Sequence, residues 1–292
     1  MTTYGFLGFG DVAHHFAVGV HRGEDDRFLA YDHALERPEG DRQRSRMADD
    51  EVEATDDIGG LAVCEVVLSL VTPAAALDVA RAFAPHALQG QIYVDLNSTA
   101  PQVKQDIAAE LEGCGVTVVD GAMTGGGVKL DGHRIPISLS GGAAQKAADE
   151  LTRLGLQVQV VGDRVGQAAA MKMLRGVVIK GLEALSVEAL TAARRYGVEE
   201  LVLDSIRESL DRWSIRDFVA MLVTTHTHYC ERRSVETRMI KETVAEVGIE
   251  PVMTPAIQRL FERSVASDLR ISGQLPADLE QSIEALEREL RR

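Results

Sequence analysis

The sequence predicts an α/β fold: a doubly wound, mostly parallel sheet, then one long connecting helix, then an all-α segment. Three observations carry this. Short apolar runs alternate with amphipathic stretches up to about residue 160, the pattern changes after Gly166, and helical periodicity then persists along the rest of the chain.

The apolar runs are "TYGFLGF", "RFLAYD", "CEVVLSLV", "QIYVDLN", "VTVVDGAM", "IPISLSGG" and "VQVVG". Each is short, strongly apolar and bounded by Gly, Asp or Asn, as expected of buried strands with helices between them. The acidic stretch "MADDEVEATDD" is expected to be a solvated helix and loop. From Gln167, "QAAAMKMLRGVVIKGLEALSVEALTAARRYG" has helical periodicity, with Gly197 as its stop. A first domain is therefore expected over 1–163 and an all-helical second domain over 164–292.

At 292 residues and 45% hydrophobic composition, the chain is long enough to build a substantial core. It carries no apolar run long enough to cross a membrane and no charged leader, so a cytoplasmic chain with no membrane partner is expected. Cys64, Cys114 and Cys230 are widely spaced, which suggests neither a disulfide framework nor a cysteine metal site. A formal charge of −14 without a basic stripe argues against nucleic acid as a partner.

Residues 5 to 16 read "GFLGFGDVAHHF". Gly8, Gly10 and Ala13 fall at the small-residue positions of a dinucleotide-binding turn, a pattern too common to decide anything without its context. The context is present: a strand precedes it, "DVAHHFAVGVHRG" can form the helix, and Asp32 ends the second strand. Gly8 permits the tight turn, Gly10 clears the approach of a pyrophosphate to backbone N–H groups, and Ala13 lets helix and strand pack closely. Gly8, Phe9, Gly10, Asp11, Val12 and Ala13 are thus expected to hold a dinucleotide in a Rossmann-type domain. Asp32 would accept hydrogen bonds from the adenosine ribose, which favours NAD, while Arg37, Arg42 and Arg44 keep NADP possible. His14 and His15 are adjacent, point in different directions on a helix, and are expected to be structural.

"SLVTP", "DLNSTAP", "DGAMTGGG" and "GQAAAMKML" follow in that order. With "GFLGFGDVA", the series resembles the β-hydroxyacid dehydrogenase superfamily, which includes 3-hydroxyisobutyrate and 6-phosphogluconate dehydrogenases. The resemblance spans most of the chain. It implies that Thr72 and Pro73 lie in the cofactor loop after the fourth strand, and that Ser98 and Thr99 meet the nicotinamide end. The inserted Asn97 leaves open which of the two does so. It further implies that Thr124, Gly125 and Gly126 hold a substrate carboxylate, and that Lys172 is the base in oxidation and the acid in reduction. Elementary chemistry agrees, because hydride removal from an alcohol needs a group to take the hydroxyl proton, and the apolar neighbours of Lys172 would disfavour its charged form.

The pattern departs from the family in two places. Gly176 stands where most members carry a substrate-orienting asparagine. Arg175 and Lys180 lie near the same helical face as Lys172 and are candidates to supply charge to a substrate with a second polar group. The lysine–aspartate pair that the family's helical domain contributes is missing, and "HTHYCERRSVE" stands in that region. His228 and Arg233 are its candidates for substrate contact, with interface salt bridging the competing role. His226 and His228, two apart, face different ways on a helix, so no metal site is expected. "KMLRGVVIKGLEAL" resembles a branch with a 6-phosphogluconate-dehydrogenase-like helical domain. The expected protein is an NAD(P)-dependent dehydrogenase acting on the CH–OH group of a small β-hydroxy acid or polar alcohol, as a homodimer. An imine-type reductase and a non-catalytic dinucleotide-binding sensor are the alternatives; Lys172 argues against the first, and Gly176 and the missing pair favour the second.

Overall fold

The computed structural model describes residues 2–38 and 40–291. Its first unit alternates β1 (Thr3–Leu7), α1 (Asp11–Gly19), β2 (Arg27–Tyr31), α2 (Gly40–Asp49), β3 (Glu53–Ala54), β4 (Val66–Ser69), α3 (Ala76–Phe83) and β5 (Ile92–Asp95). It continues through α4 (Pro101–Glu112), β6 (Thr117–Met123), α5 (Val128–Asp131), β7 (Ile137–Ser140), α6 (Ala144–Arg153) and β8 (Val158–Gly162). Each of the predicted apolar runs supplies a strand. Among the described residues the strands form an eight-stranded sheet in the order β3-β2-β1-β4-β5-β6-β7-β8, parallel throughout except between β6 and β7.

Alternation along the strands divides the core between the two sheet faces. Phe6, Phe28, Val66 and Val94 pack with Phe16 of α1, Met47 of α2 and Leu151 of α6. Leu7, Leu29, Val67 and Tyr93 pack with Phe83 of α3 and Ile107 and Leu111 of α4. The sheet is therefore covered on both faces, as a parallel sheet with helical crossovers requires.

One detail of the acidic stretch differs from expectation. Glu53 and Ala54 form β3, an edge strand beside β2, because Val52 is drawn into the core and holds the chain extended there. The thirty-residue helix is present as α7 (Gln167–Tyr196), with Gly197 at φ +70° just beyond it. The chain divides into two compact units at Gly176, inside α7. Ala168 and Ala169 in the first turn of α7 are buried, so the helix begins as part of the first unit.

The second unit continues through α8 (Glu199–Leu210), α9 (Ile215–Glu246), α10 (Met253–Val265) and α11 (Leu279–Leu290), with α10 and α11 packed on α9. No helix of the described residues is long and apolar enough to cross a membrane. Glu188 of α7 is buried and takes the N–H groups of Val252, Met253 and Thr254 at 2.5, 2.7 and 3.0 Å. It thus satisfies the amino end of α10, where backbone donors have no partner within the helix. Burial opposes its charge, but these backbone donors outweigh it and hold the carboxyl below the ordinary glutamate value. Its stabilising contribution is therefore present at neutral pH and lost as pH falls through that depressed value. Glu188→Ala is expected to lower unfolding stability by about 1–3 kcal/mol in urea titrations at pH 7, and by progressively less as the pH is lowered.

Candidate dinucleotide cleft and lysine site

The strand order reverses between β1 and β4, and in open α/β sheets ligands bind in the crevice outside the carboxyl ends of strands at such a point. The glycine turn follows β1 there. Gly8 has φ +92°, and a Cβ on it would lie 2.8 Å from the carbonyl oxygen of Leu70, so the fold itself requires glycine. Gly10 differs: a Cβ there would meet nothing within 4 Å, although Gly10 is the residue that caps the amino end of α1. Its missing side chain leaves a cradle open at a helix amino terminus, the position where backbone N–H groups and the helix dipole favour a phosphate.

Asp32 organises the turn from the end of β2. Its Oδ2 accepts the Phe9 N–H at 2.7 Å and its Oδ1 accepts the Ala34 N–H at 2.8 Å. Phe9 and Ala13 are buried beneath the turn, Val12 packs at the core's edge, and Asp11 is exposed and paired with Arg46 at 3.3 Å. A cleft of about 540 Å³ opens above, lined by Gly8, Gly10, Asp32, Arg37, Thr72 and neighbouring apolar residues. Pro73 is exposed in the following turn. Of the three arginines singled out, Arg37 lines this cleft, Arg42 lines a separate polar cavity, and Arg44 pairs with Asp56 at 3.4 Å. His14 Nδ1 lies 2.6 Å from Asp50 Oδ2.

The lysine is positioned by the start of α7. Asp120 Oδ2 accepts the N–H groups of Gly166 and Ala169 at 3.0 and 2.9 Å, and Ser140 Oγ accepts that of Ala168 at 2.9 Å. From this docked turn Lys172 reaches the loop after β5, where its Nζ donates to Ser98 Oγ at 2.5 Å. Burial, then the nearby charge of Lys104, holds the Lys172 amine below the ordinary lysine value. Ser98 is thus the residue of the pair that meets Lys172, while the Thr99 side chain is buried. The inserted Asn97 is an internal strut, donating from Nδ2 to Ser69 Oγ at 2.9 Å and to Asp95.

The loop after β6 carries its own internal bonding. The N–H of Gly126, read as a donor for a substrate carboxylate, is taken by Asp131 Oδ2 at 2.8 Å, because an aspartate five residues on readily bonds a loop amide. Thr124 is half-buried with its N–H on the Pro136 carbonyl at 2.8 Å, and Gly125 is exposed at φ +149°. Arg175 is exposed on α7 one turn beyond Lys172. Lys180 lies in the second unit, lining a largely apolar cavity of about 480 Å³ with Glu183, Val187, Val252 and Met253. His228 is exposed against the ring of Tyr229, and Arg233 donates to Thr225 Oγ1 at 3.0 Å. Arg233 also lines an apolar cavity with Leu222 of α9, Leu260 and Phe261 of α10, and Leu290 of α11. His226 bonds Ser264 at 2.9 Å.

Sequence reasoning passed over Lys104. It is 1% exposed, with Nζ 3.0 Å from Asp95 Oδ2 and 3.5 Å from Asp120 Oδ1. A signal existed, since Lys104 shares helical spacing with Ile107, Ala108 and Leu111 and therefore sits on the buried face of α4.

Comparison with known proteins agrees with this architecture. Residues 193–264 match a family model described as a domain of unknown function, DUF1932. A conserved hypothetical protein from Sinorhizobium meliloti 1021 is 34% identical, with 99% of this chain and 97% of that one covered and a TM-score of 0.67. The conserved protein MTH1747, described as of unknown function and structurally similar to 3-hydroxyacid dehydrogenases, is 33% identical over 90% of this chain and 97% of its own, with a TM-score of 0.63. An imine reductase from Aspergillus terreus, determined with NADPH4 and a dibenzazepine, shares the fold at 15% identity, with 96% and 98% coverage and a TM-score of 0.76. Fold and site together define a protein with a Rossmann-type sheet unit and a helical unit. The chain belongs to the β-hydroxyacid dehydrogenase-like superfamily.

The contrast between the two glycines is directly testable. Gly8→Ala is expected to cost about 1–3 kcal/mol in urea unfolding. Gly10→Ala is expected to change stability by less than about 0.5 kcal/mol, yet to weaken NAD(H) or NADP(H) binding about tenfold or more in calorimetry.

Proposed function

We propose that the chain is an NAD(P)-dependent oxidoreductase that transfers a hydride between a nicotinamide cofactor and the CH–OH carbon of a small β-hydroxy acid or related polar alcohol. The observation that carries this reading is the half-buried Lys172 amine held on Ser98. Ser98, Thr72 and the Gly8–Gly10 cradle follow the ends of β5, β4 and β1, three neighbouring strands. NAD is favoured by the carboxylate of Asp32, and Arg37 in the same cleft keeps a 2′-phosphate acceptable.

When bound, the nicotinamide ring supplies the hydride acceptor for oxidation and the donor for reduction. Lys172 handles the accompanying proton. As a free amine it takes the hydroxyl proton while the carbon–hydrogen bond breaks, and as an ammonium it then donates to the nascent carbonyl oxygen. In reduction the same group returns the proton. Ser98 aims the amine, and burial with the neighbouring Lys104 keeps more of it uncharged than on an exposed lysine. Thr124 and Gly125 are the substrate-side candidates, with Gly126 available once Asp131 releases its N–H. At Gly176 a Cβ would meet nothing within 4 Å, so the position of the family's asparagine is left as open space.

A cytoplasmic homodimer completes the proposal. Leu174 and Val177 on α7 and Leu201 on α8 are 67%, 68% and 67% exposed, and apolar rows of this kind mark contact surfaces. The three cysteines are free, as a reducing compartment maintains them. Light scattering is expected to give twice the chain mass, and the chain mass alone would exclude the dimer.

Activity is read at the reduced-nicotinamide absorbance against a panel of small 3-hydroxy acids, polar alcohols and cyclic imines. Lys172→Ala is expected to lower turnover by about 100-fold or more while leaving dinucleotide affinity unchanged. Unchanged turnover removes the acid–base role, and turnover confined to imines removes the CH–OH assignment. Because the free amine is the base, oxidation should rise with pH through a midpoint below the ordinary lysine value of about 10.4, and reduction should fall through the same midpoint.

A further inference from the structure

Asp95 and Asp120 stand directly opposite one another in the register of β5 and β6, and both are fully buried. Two carboxylates side by side in a core repel each other unless a cation sits between them. Lys104 of α4 is that cation. Besides its two carboxylate contacts, its Nζ donates to the carbonyl oxygens of Asp95 at 2.7 Å and Gly121 at 3.3 Å.

Each carboxylate continues to one side of the proposed reaction centre. Asp95 Oδ1 accepts the Asn97 N–H at 3.1 Å and the Asn97 side-chain amide, which fixes the loop that carries Ser98. Asp120 Oδ2 accepts the N–H groups of Gly166 and Ala169, which fixes the turn of α7 from which Lys172 projects. Ser98 and Lys172 then meet at 2.5 Å. The hydrogen-bonded path closes into a ring, and Lys104 touches both of its arms.

We propose that Lys104 is a positioning residue for this centre: by bridging Asp95 and Asp120 it sets the Ser98 loop and the first turn of α7 together. The inference rests on the oxidoreductase reading of Lys172. Lys104 from α4 opposes protonation of Lys172, Asp95 from β5 and Asp120 from β6 face Lys104 at 3.0 and 3.5 Å, and exposed Arg175 lies one turn along α7. Removing the Lys104 charge therefore leaves Lys172 more often protonated.

The test reads Lys172 directly, without turnover. The full chain is acetylated with trace acetic anhydride across a pH series, and the six lysines are resolved by mass spectrometry, with exposed Lys146 and Lys241 as internal standards. In the wild type, Lys172 should react with a midpoint below those of the standards. In Lys104→Met its midpoint should move up toward theirs, making it about threefold or more slower at pH values below the midpoint, where rate follows the free-amine fraction.

Lys104→Met leaves two carboxylates facing each other and can fail to fold, so Lys104→Met combined with Asp95→Asn is measured beside it and should show the same upward movement. A Lys172 midpoint equal to the standards in the wild type, or unmoved in the folded variants, overturns the proposal. Because labelling needs no substrate, a moved midpoint without hydride transfer would sink the oxidoreductase reading alone, and turnover with an unmoved midpoint would sink this inference alone.

Discussion

The buried ion pairing of Lys104 with Asp95 and Asp120 is the constraint around which the first unit is arranged. It is a poor source of stability, because withdrawing three charges from water costs several kcal/mol per ion before their attraction offsets any of it. The apolar core is the better source: burying a single Phe or Leu side chain contributes about 1.5–3 kcal/mol, and both sheet faces are lined with them. An apolar trio of the same volume would hold β5 and β6 together equally well. What it would lack is directional bonds to the Asn97 amide and to the N–H groups of Gly166 and Ala169, which leave the core and end at Ser98 and α7. The charges are thus accounted for by geometry at the rim of the sheet, and the hydrophobic layers carry the fold.

Local donors, not net charge, give the cleft its affinity for an anionic ligand. A chain at −14 repels anions at long range, and salt screens that field beyond about 10 Å. Within the cleft, the amino end of α1 beside Gly10 and the guanidinium of Arg37 act on a bound anion at short distance. Asp32 fits the same logic, since its oxygens bond the Phe9 and Ala34 amides and retain lone pairs to accept ribose hydroxyls.

The strands, the thirty-residue helix and the glycine turn were legible in the sequence because each is set by local rules: apolar run length, helical period, and a residue type that alone fits a backbone conformation. Gly8 is the clearest instance, with its positive φ and the Leu70 carbonyl behind it. The lowered basicity of Lys172 was legible through its apolar neighbours. Features fixed by contacts distant in sequence were not. β3 exists because Val52 finds a core built by other elements, and the choice of Ser98 over Thr99 depends on where α7 docks. The bond of Asp131 to the Gly126 N–H and the contacts of His228 and Arg233 likewise follow from how the chain folds, which charge density in a sequence does not give. Lys104 is the instructive omission, since helical spacing already placed it among buried residues.

The central claim is that the crevice between β1 and β4 holds a nicotinamide dinucleotide. Calorimetric titration of the full chain with NADH and, separately, NADPH tests it most directly. Saturable binding of at least one of them at one site per chain is the predicted result. Absence of binding by both, on protein shown to be folded by a cooperative urea transition, would contradict the account from the glycine turn onward.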